Sequence, residues 1–108
     1  MNRYIQVITT VDEKEEAEML SERLVERRLA GCVQIIGPIT STYWWNDKVE
    51  NAEEWLCLIK SEKRLYDELE RTVKDIHPYE TPEIICIPIS QGSEKYLEWL
   101  SKELKQNE

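Results

Sequence analysis

The sequence predicts an α+β fold in which one antiparallel sheet carries helices, and three observations lead to this class. Apolar, β-branched segments alternate with amphipathic ones in the order strand, helix, strand, strand, helix, strand, helix. A short polar turn joins the two middle strands, which predicts a hairpin. The length of 108 residues suits one domain spanning residues 1–108.

The first strand and helix are predicted from an Ile- and Val-rich run over residues 4–11 that is followed by a capping pattern. Asp12 is expected to cap the helix, and Glu15 to complete a capping box. Gly31 is expected at the C′ position, where a left-handed glycine ends a helix. The buried side of this helix is predicted to be an apolar stripe of Ala17, Leu20 and Leu24.

The hairpin is predicted from two long β-patterned runs, 32–45 and 49–60, with its turn at 46–48. Fourteen residues of strand span about 45 Å, whereas a compact chain of this size has a radius of gyration of about 13 Å. The hairpin must therefore bend, for which Gly37-Pro38 is the obvious place, or project beyond the domain. A turn centred near Asp47 would set Cys57 opposite Ile36 or Gly37.

A second helix is expected to end at the only histidine of the chain, since Pro78 disfavours a helical conformation in the residue before it. His77 is then the last helical residue, and Thr81 is already extended. A fourth strand over 83–89 and a third helix capped by Ser93 follow. The inner sides of the two helices are predicted to be Leu65, Leu69, Val73 and Ile76, and then Leu97, Leu100 and Leu104.

The resulting βαββαβ order with a final helix is the split-βαβ, ferredoxin-like arrangement, whose strand order is 4-1-3-2. Proline cannot donate to a β-ladder and is confined to sheet edges, strand starts or bulges. Pro38 and Pro88 fall in the second and fourth strands, which are the two edges of that order.

Composition excludes several classes of function. The net charge is −8 and no basic cluster is present, which argues against nucleic acid and against an anionic membrane surface. The longest apolar runs have the length of a strand, so no membrane span or signal peptide is expected. The three cysteines show no C-x-x-C pattern and lie among aliphatic residues, where a free thiol behaves as a small hydrophobe. These features predict a cytoplasmic protein.

The aromatic residues indicate a homo-oligomer. Trp44 and Trp45 are consecutive, so in a strand they point to opposite faces, and the helices of one subunit can cover only one face. Trp99 lies nearly opposite the inner leucines of the last helix. Several exposed tryptophans favour a partner surface, and we expect edge strands to pair between copies.

The sequence resembles the CutA divalent-cation-tolerance family over essentially its whole length. The residues that carry the resemblance are Ala30-Gly31-Cys32-Val33, Tyr43-Trp44-Trp45, Glu50, Glu54, Lys60, His77-Pro78-Tyr79-Glu80-Thr81-Pro82-Glu83-Ile84 and Tyr96-Leu97-x-Trp99. The resemblance implies a cytoplasmic trimer similar to the PII proteins, with a protruding hairpin and a role in tolerance of divalent metals. It implies copper binding for some members and no established catalytic activity.

Two departures from the family concern the turn and the copper site. Asp47 stands where a glycine is common at the hairpin tip, a small loss because Asp tolerates left-handed geometry. The copper site proposed in some bacterial members uses a Cys and a His-His pair, and the matching positions here are Thr9, Ile76 and His77. Only one of those three ligands is present.

Two hypotheses for a site follow, both placing it where subunits meet. In the first, Cu(II) or another divalent metal binds weakly to His77 with Glu54 or Glu83, or to three copies of His77, with no cofactor required. In the second, a PII-like regulatory or scaffold trimer binds a small ligand or partner protein in its inter-subunit clefts. Its cleft residues would be Trp45, Lys60 and Tyr79.

Structural roles are the alternative for the same residues. His77 would be a helix-end imidazole bonded to the last helical carbonyls, Lys60 would pair with Glu54, and Trp45 would be interface packing. The expected interface residues are Tyr43, Trp44 and Trp99. No catalytic residues are predicted, since the chain has no Gly-rich loop, no H-E-x-x-H and no nucleophile beside a base.

Overall fold

The computed structural model describes residues 3–106, which form one four-stranded antiparallel sheet with three α-helices. The elements are β1 (Tyr4–Val11), α1 (Lys14–Glu26), β2 (Cys32–Trp45), β3 (Lys48–Glu62), a 3-10 turn (Lys63–Leu65), α2 (Tyr66–Ile76), β4 (Ile84–Pro88) and α3 (Glu94–Glu103). The strand order is β2-β3-β1-β4. The ferredoxin-like fold and its predicted strand order are thus confirmed.

The hydrophobic core lies between one face of the sheet and the helices. Alternate residues of β1 and β3 point into it, as the period of two requires. The predicted stripes of α1 and α2 meet them there. The core includes Ile5, Val7, Val11, Cys57 and Ile59 from the strands and Ala17, Leu20, Leu24, Leu69 and Val73 from the helices.

The capping prediction for α1 is wrong. Glu13, not Asp12, occupies the N-cap position, and its side chain makes no capping hydrogen bond. Its extended backbone and carbonyl begin the helix instead, since the amides of Glu16 and Ala17 donate to the Glu13 carbonyl at 3.1 and 3.2 Å. Asp12 and Glu15 therefore do not form the expected box.

The predicted role of Gly31 is also wrong, because α1 ends earlier. Arg28 takes the left-handed conformation at φ 58°, and the amide of Leu29 donates to the Leu24 carbonyl at 3.0 Å, which is the Schellman pattern. Gly31 has no positive φ. A Cβ there would collide with the side chain of Leu100 on α3, so glycine is needed for close packing rather than for a turn.

The hairpin turns at Asn46 and Asp47, which have φ of 50° and 64°, as a two-residue turn with left-handed residues requires. The register shifts by one residue between Ile36 and Ile39, at the predicted bend. Cys57 therefore pairs with Ile35, and not with Ile36 or Gly37, because both the shorter turn and the bulge displace the register. The molecule is 45 Å long in its largest dimension.

The connector before β4 differs slightly from its prediction. The helix ends at Ile76, and His77 is the C-cap with extended backbone (φ −64°, ψ 133°). Thr81 lies in a bend, and β4 covers only Ile84–Pro88. The Ser93 cap is confirmed, since its side chain accepts the amide of Tyr96.

The second face of the sheet, here called the open sheet face, is apolar at its centre. Leu58, Ile8 and Ile85 pair directly across three strands and share this face, with Ile87 beside them. Ile85 and Ile87 are 48% and 40% exposed. α3 lies at one end of this face, where Ser101 bonds to Tyr4 and Glu62.

Candidate functional site

A cleft of about 600 Å³ lies where the hairpin extends past the end of β1. The hairpin forms one wall, and the connector between α2 and β4 forms the other. The aromatic and acidic side chains lining this cleft are Tyr43, Trp45, Glu54, Tyr79, Glu80 and Glu83. Trp45 and Tyr79, two of the three predicted cleft residues, therefore lie together.

The bulge in β2 decides which tryptophan faces the cleft. From Ile36 to Ile39 the chain advances three residues along β2, whereas the paired residues of β3 advance by only two. The alternation of side chains in β2 therefore reverses at this point. Tyr43 and Trp45 consequently share the face of Glu54. Trp44 points to the opposite face and is 73% exposed.

Tyr79 is fixed in the cleft wall by three contacts. Its hydroxyl donates to Glu54 Oε2 at 2.7 Å, and its backbone N–H donates to His77 Nδ1 at 3.1 Å. Its ring meets the imidazole edge-on at 4.8 Å between centroids. Burial, together with the neighbouring Glu54 carboxylate, raises the pKa of the Tyr79 phenol well above its ordinary value, so the phenol remains a donor.

His77 lies behind Tyr79 and is only 8% exposed. Its Nε2 lies 2.8 Å from the Thr10 carbonyl, which can only accept, so Nε2 carries the proton. Nδ1 accepts the Tyr79 amide, so the ring is neutral. Burial lowers the pKa of His77, although the Thr10 hydrogen bond and the charges of Asp12 and Glu54 oppose this. The imidazole thus links the connector to the end of β1. It does not bond to the last carbonyls of α2, as the structural alternative for His77 predicted.

The three predicted metal ligands occupy different positions. Glu54 and Glu83 line the cleft, whereas His77 is separated from it and uses both ring nitrogens in hydrogen bonds. Within residues 3–106 of one subunit, no group of three or more His, Cys, Asp or Glu side chains is arranged to hold a metal ion.

Lys60, the third predicted cleft residue, lies elsewhere in the subunit. Its Nζ donates to Gln34 Oε1 at 2.6 Å. Six positions of strand separate it from Glu54, a distance of about 20 Å. The Lys60–Glu54 ion pair considered from the sequence is therefore not formed within one subunit.

The predicted interface residues are all exposed in the single subunit. Tyr43 is 41% and Trp99 43% exposed, and Trp99 contacts the ring of Tyr96 at 5.6 Å between centroids. Together with Trp44 they place aromatic surface on both the hairpin and α3.

A buried carboxylate was missed by sequence analysis. Glu62 is fully buried and accepts hydrogen bonds from Arg3 and Arg64 at 2.7 Å and from Ser101 at 2.6 Å. Burial alone would raise the pKa of Glu62, but these hydrogen bonds and the two guanidinium charges outweigh it and hold the pKa below its usual value. Only Arg64 is near Glu62 in the sequence, whereas Arg3 and Ser101 are 59 and 39 positions away, so the sequence does not mark this carboxylate. Glu80 and Thr10 were likewise not singled out as lining residues.

The cysteines do not form a second site. Burial raises the pKa of Cys57 to about 11 and also raises the pKa of Cys86, which disfavours the thiolates that metals bind. Cys32, Cys57 and Cys86 are free. None of the helices in the described part of the chain is long and apolar enough to cross a bilayer.

The chain matches one family of known proteins. Residues 5–103 match the sequence model of the CutA1 divalent ion tolerance protein family. The divalent-cation tolerance protein CutA of Thermus thermophilus is 42% identical over 87% of this chain and 91% of its own length. The corresponding protein of Archaeoglobus fulgidus is 38% identical over 94% of this chain and 97% of its own. The chain spans about half of the longer human relative, protein CutA, covering 51% of it at 41% identity.

Solved structures of the same family share the fold. CutA1 from Oryza sativa superposes with a TM-score of 0.95 at 40% identity and covers 98% of this chain and 97% of its own. The protein from Thermus thermophilus gives a TM-score of 0.92 at 38% identity, over 94% of this chain and 99% of its own.

Proposed function

This chain belongs to the CutA1 divalent ion tolerance family, and from this we propose that it is a non-enzymatic homotrimer that supports tolerance of divalent metals and binds copper weakly. Membership in this family supports a role in tolerance of divalent metals. The observation that carries it is the family match over residues 5–103. The test is growth at raised copper of cells lacking their own protein of this family. This chain should restore growth, and failure of a well-expressed protein to do so would contradict the role.

The open sheet face supports the proposed assembly. Ile8, Leu58 and Ile85 form an apolar row that solvent reaches in one subunit, and copies arranged around a three-fold axis could bury it together. The exposed Trp44 and Trp99 give further apolar surface for contacts between neighbours. Light scattering should return about three times the mass of 12.9 kDa, and a stable 12.9 kDa species would contradict the trimer.

Weak metal binding is proposed for the carboxylates of the cleft. Glu54 and Glu83 offer oxygen donors, and a second copy could supply the rest of a coordination sphere. Calorimetric titration with Cu(II) tests this on Glu54→Gln, with Glu53→Gln as the control, because Glu53 points to the other face of the same strand. Binding should weaken only in Glu54→Gln. Equal binding by both variants would remove Glu54 from the ligand set.

A second candidate function is a PII-like trimer that binds a small ligand in this cleft. The specific observation in its favour is that Trp45 and Tyr79 line the same cleft, whose volume of about 600 Å³ is of small-molecule size. A panel of metabolites scored by thermal shift tests it, since a ligand that binds the folded state raises its melting temperature. The candidate fails if nothing in the panel stabilises the assembly.

We also propose a cytoplasmic location. The three free cysteines, which lie among aliphatic residues in the sequence, support it, because thiols persist in a reducing compartment. Among the similar proteins, one from Oryza sativa is named chloroplastic and one from Archaeoglobus fulgidus is titled periplasmic. Fractionation of cells expressing the chain from its own gene tests the proposal, and recovery outside the cytoplasm would contradict it.

A further inference from the structure

We propose that the cleft binds an elongated organic cation with two or more ammonium groups on an aliphatic chain, the chemical class of di- and polyamines. This inference rests on the second candidate function, in which the cleft is a ligand site, and names the class of ligand. Three properties of the cleft carry it: its charge, the lack of metal ligands that converge on one point among residues 3–106, and its aromatic walls.

The charge of the cleft selects a cation. Glu54, Glu80 and Glu83 line it, and its described lining contains no Lys, Arg or His. Glu54 is 7% exposed and is held by the Tyr79 hydroxyl, so one of these charges is largely removed from water. An interaction of opposite charges is stronger in such surroundings than at an open surface. A nucleotide or another anion would be repelled by the same carboxylates.

The lack of a converging ligand set in the described residues favours an organic cation over a single metal ion. A metal ion needs several ligand atoms within about 2.0 to 2.6 Å of one point. No three acidic or imidazole side chains of residues 3–106 converge in this way. Ammonium groups spaced along a chain can instead meet separate carboxylates, each at hydrogen-bond distance.

The aromatic walls match the methylene segments between such ammonium groups. Tyr43 and Trp45 lie on the hairpin side and Tyr79 on the connector side. Aromatic faces attract cations and pack against the methylene chain that joins them. Tyr79 is already fixed by Glu54 and His77, so this wall loses little freedom on binding. A volume of about 600 Å³ accommodates a ligand of this size.

Calorimetric titration with spermidine at physiological ionic strength tests the inference on the assembled protein. The wild type should bind spermidine and should not bind ATP at the same concentration. Glu54→Gln keeps an acceptor for the Tyr79 hydroxyl but removes the charge that an ammonium group would meet, and should weaken spermidine binding about tenfold. Glu53→Gln removes the same charge from the opposite face and should leave the affinity unchanged.

Two results would overturn the inference. One is absence of spermidine binding by the wild type, and the other is equal weakening in Glu54→Gln and Glu53→Gln, which would indicate general attraction to an acidic surface. Circular dichroism and the assembly mass of each variant verify that it is folded. A Cu(II) titration on the same samples keeps the outcomes separate, because copper binding without spermidine binding rejects this inference and leaves the proposed metal function standing.

Discussion

At the residue scale, His77, Tyr79 and Glu54 form one connected hydrogen-bonded chain from the end of β1 to the hairpin. The sequence marks all three residues, His77 and Tyr79 through the distinctive motif around the histidine and Glu54 through the family resemblance. Sequence analysis assigned His77 to a metal or to the helix end, since a pattern along the chain cannot reveal that the Thr10 carbonyl lies beside the ring. Contacts between residues 67 positions apart depend on the fold.

Replacing Tyr79 by Phe should destabilise the subunit by about 2 kcal/mol, since it leaves a largely buried carboxylate without its hydroxyl donor. Urea unfolding followed by tryptophan fluorescence measures the change. Tyr43→Phe is the control, because it removes a hydroxyl from a 41% exposed side chain of the same cleft. A smaller loss for Tyr79→Phe than for Tyr43→Phe would contradict this role of the hydroxyl.

The lowered pKa of His77 predicts a stability that declines on acidification. The folded state holds the ring neutral, whereas in the unfolded chain it takes up a proton near its ordinary pKa of about 6.5. This contribution is therefore fully present above about pH 6.5 and is lost as the pH falls through the folded pKa. Unfolding free energies at pH 7.5 and 5.5 should differ more for the wild type than for His77→Gln. An equal pH dependence would show that another group is responsible.

At the scale of elements, the strands and their order followed from alternation and from the two edge prolines. The ends of α1 did not, because Arg28 takes a left-handed conformation without a glycine to mark it, and Gly31 serves packing instead. The register of the hairpin was displaced because a bulge adds a residue to β2 alone. Such features depend on how elements meet, which local sequence does not encode.

Replacing Gly31 by Ala should destabilise the fold by about 1 kcal/mol, because the new methyl group would overlap the end of the buried Leu100 side chain and force it out of its packed rotamer. Chemical denaturation measures the loss. The double variant Gly31→Ala, Leu100→Ala should show a smaller loss than the sum of the two single changes, since the space left by leucine admits the methyl. Additive losses would contradict a direct contact between these positions.

At the scale of the whole molecule, one subunit leaves apolar surface uncovered on its open sheet face. Ile85 is 48% exposed, so a charge there should cost the isolated subunit little but should oppose burial between copies. We expect Ile85→Lys to give a smaller assembly by light scattering. Met19→Lys is the control, because Met19 is 39% exposed on α1, on the helical side. Retention of the wild-type mass by Ile85→Lys would show that the open sheet face is not an interface.

The single extra residue in β2 also bears on how this protein can vary in length. Removing one residue between Ile36 and Ile39 would leave two steps on each strand, so the pairs from Ile39 with Glu54 onward would stay in register and Trp45 would keep its face. Homologues that lack the bulge should accordingly be one residue shorter in this strand and still carry an aromatic side chain beside this glutamate.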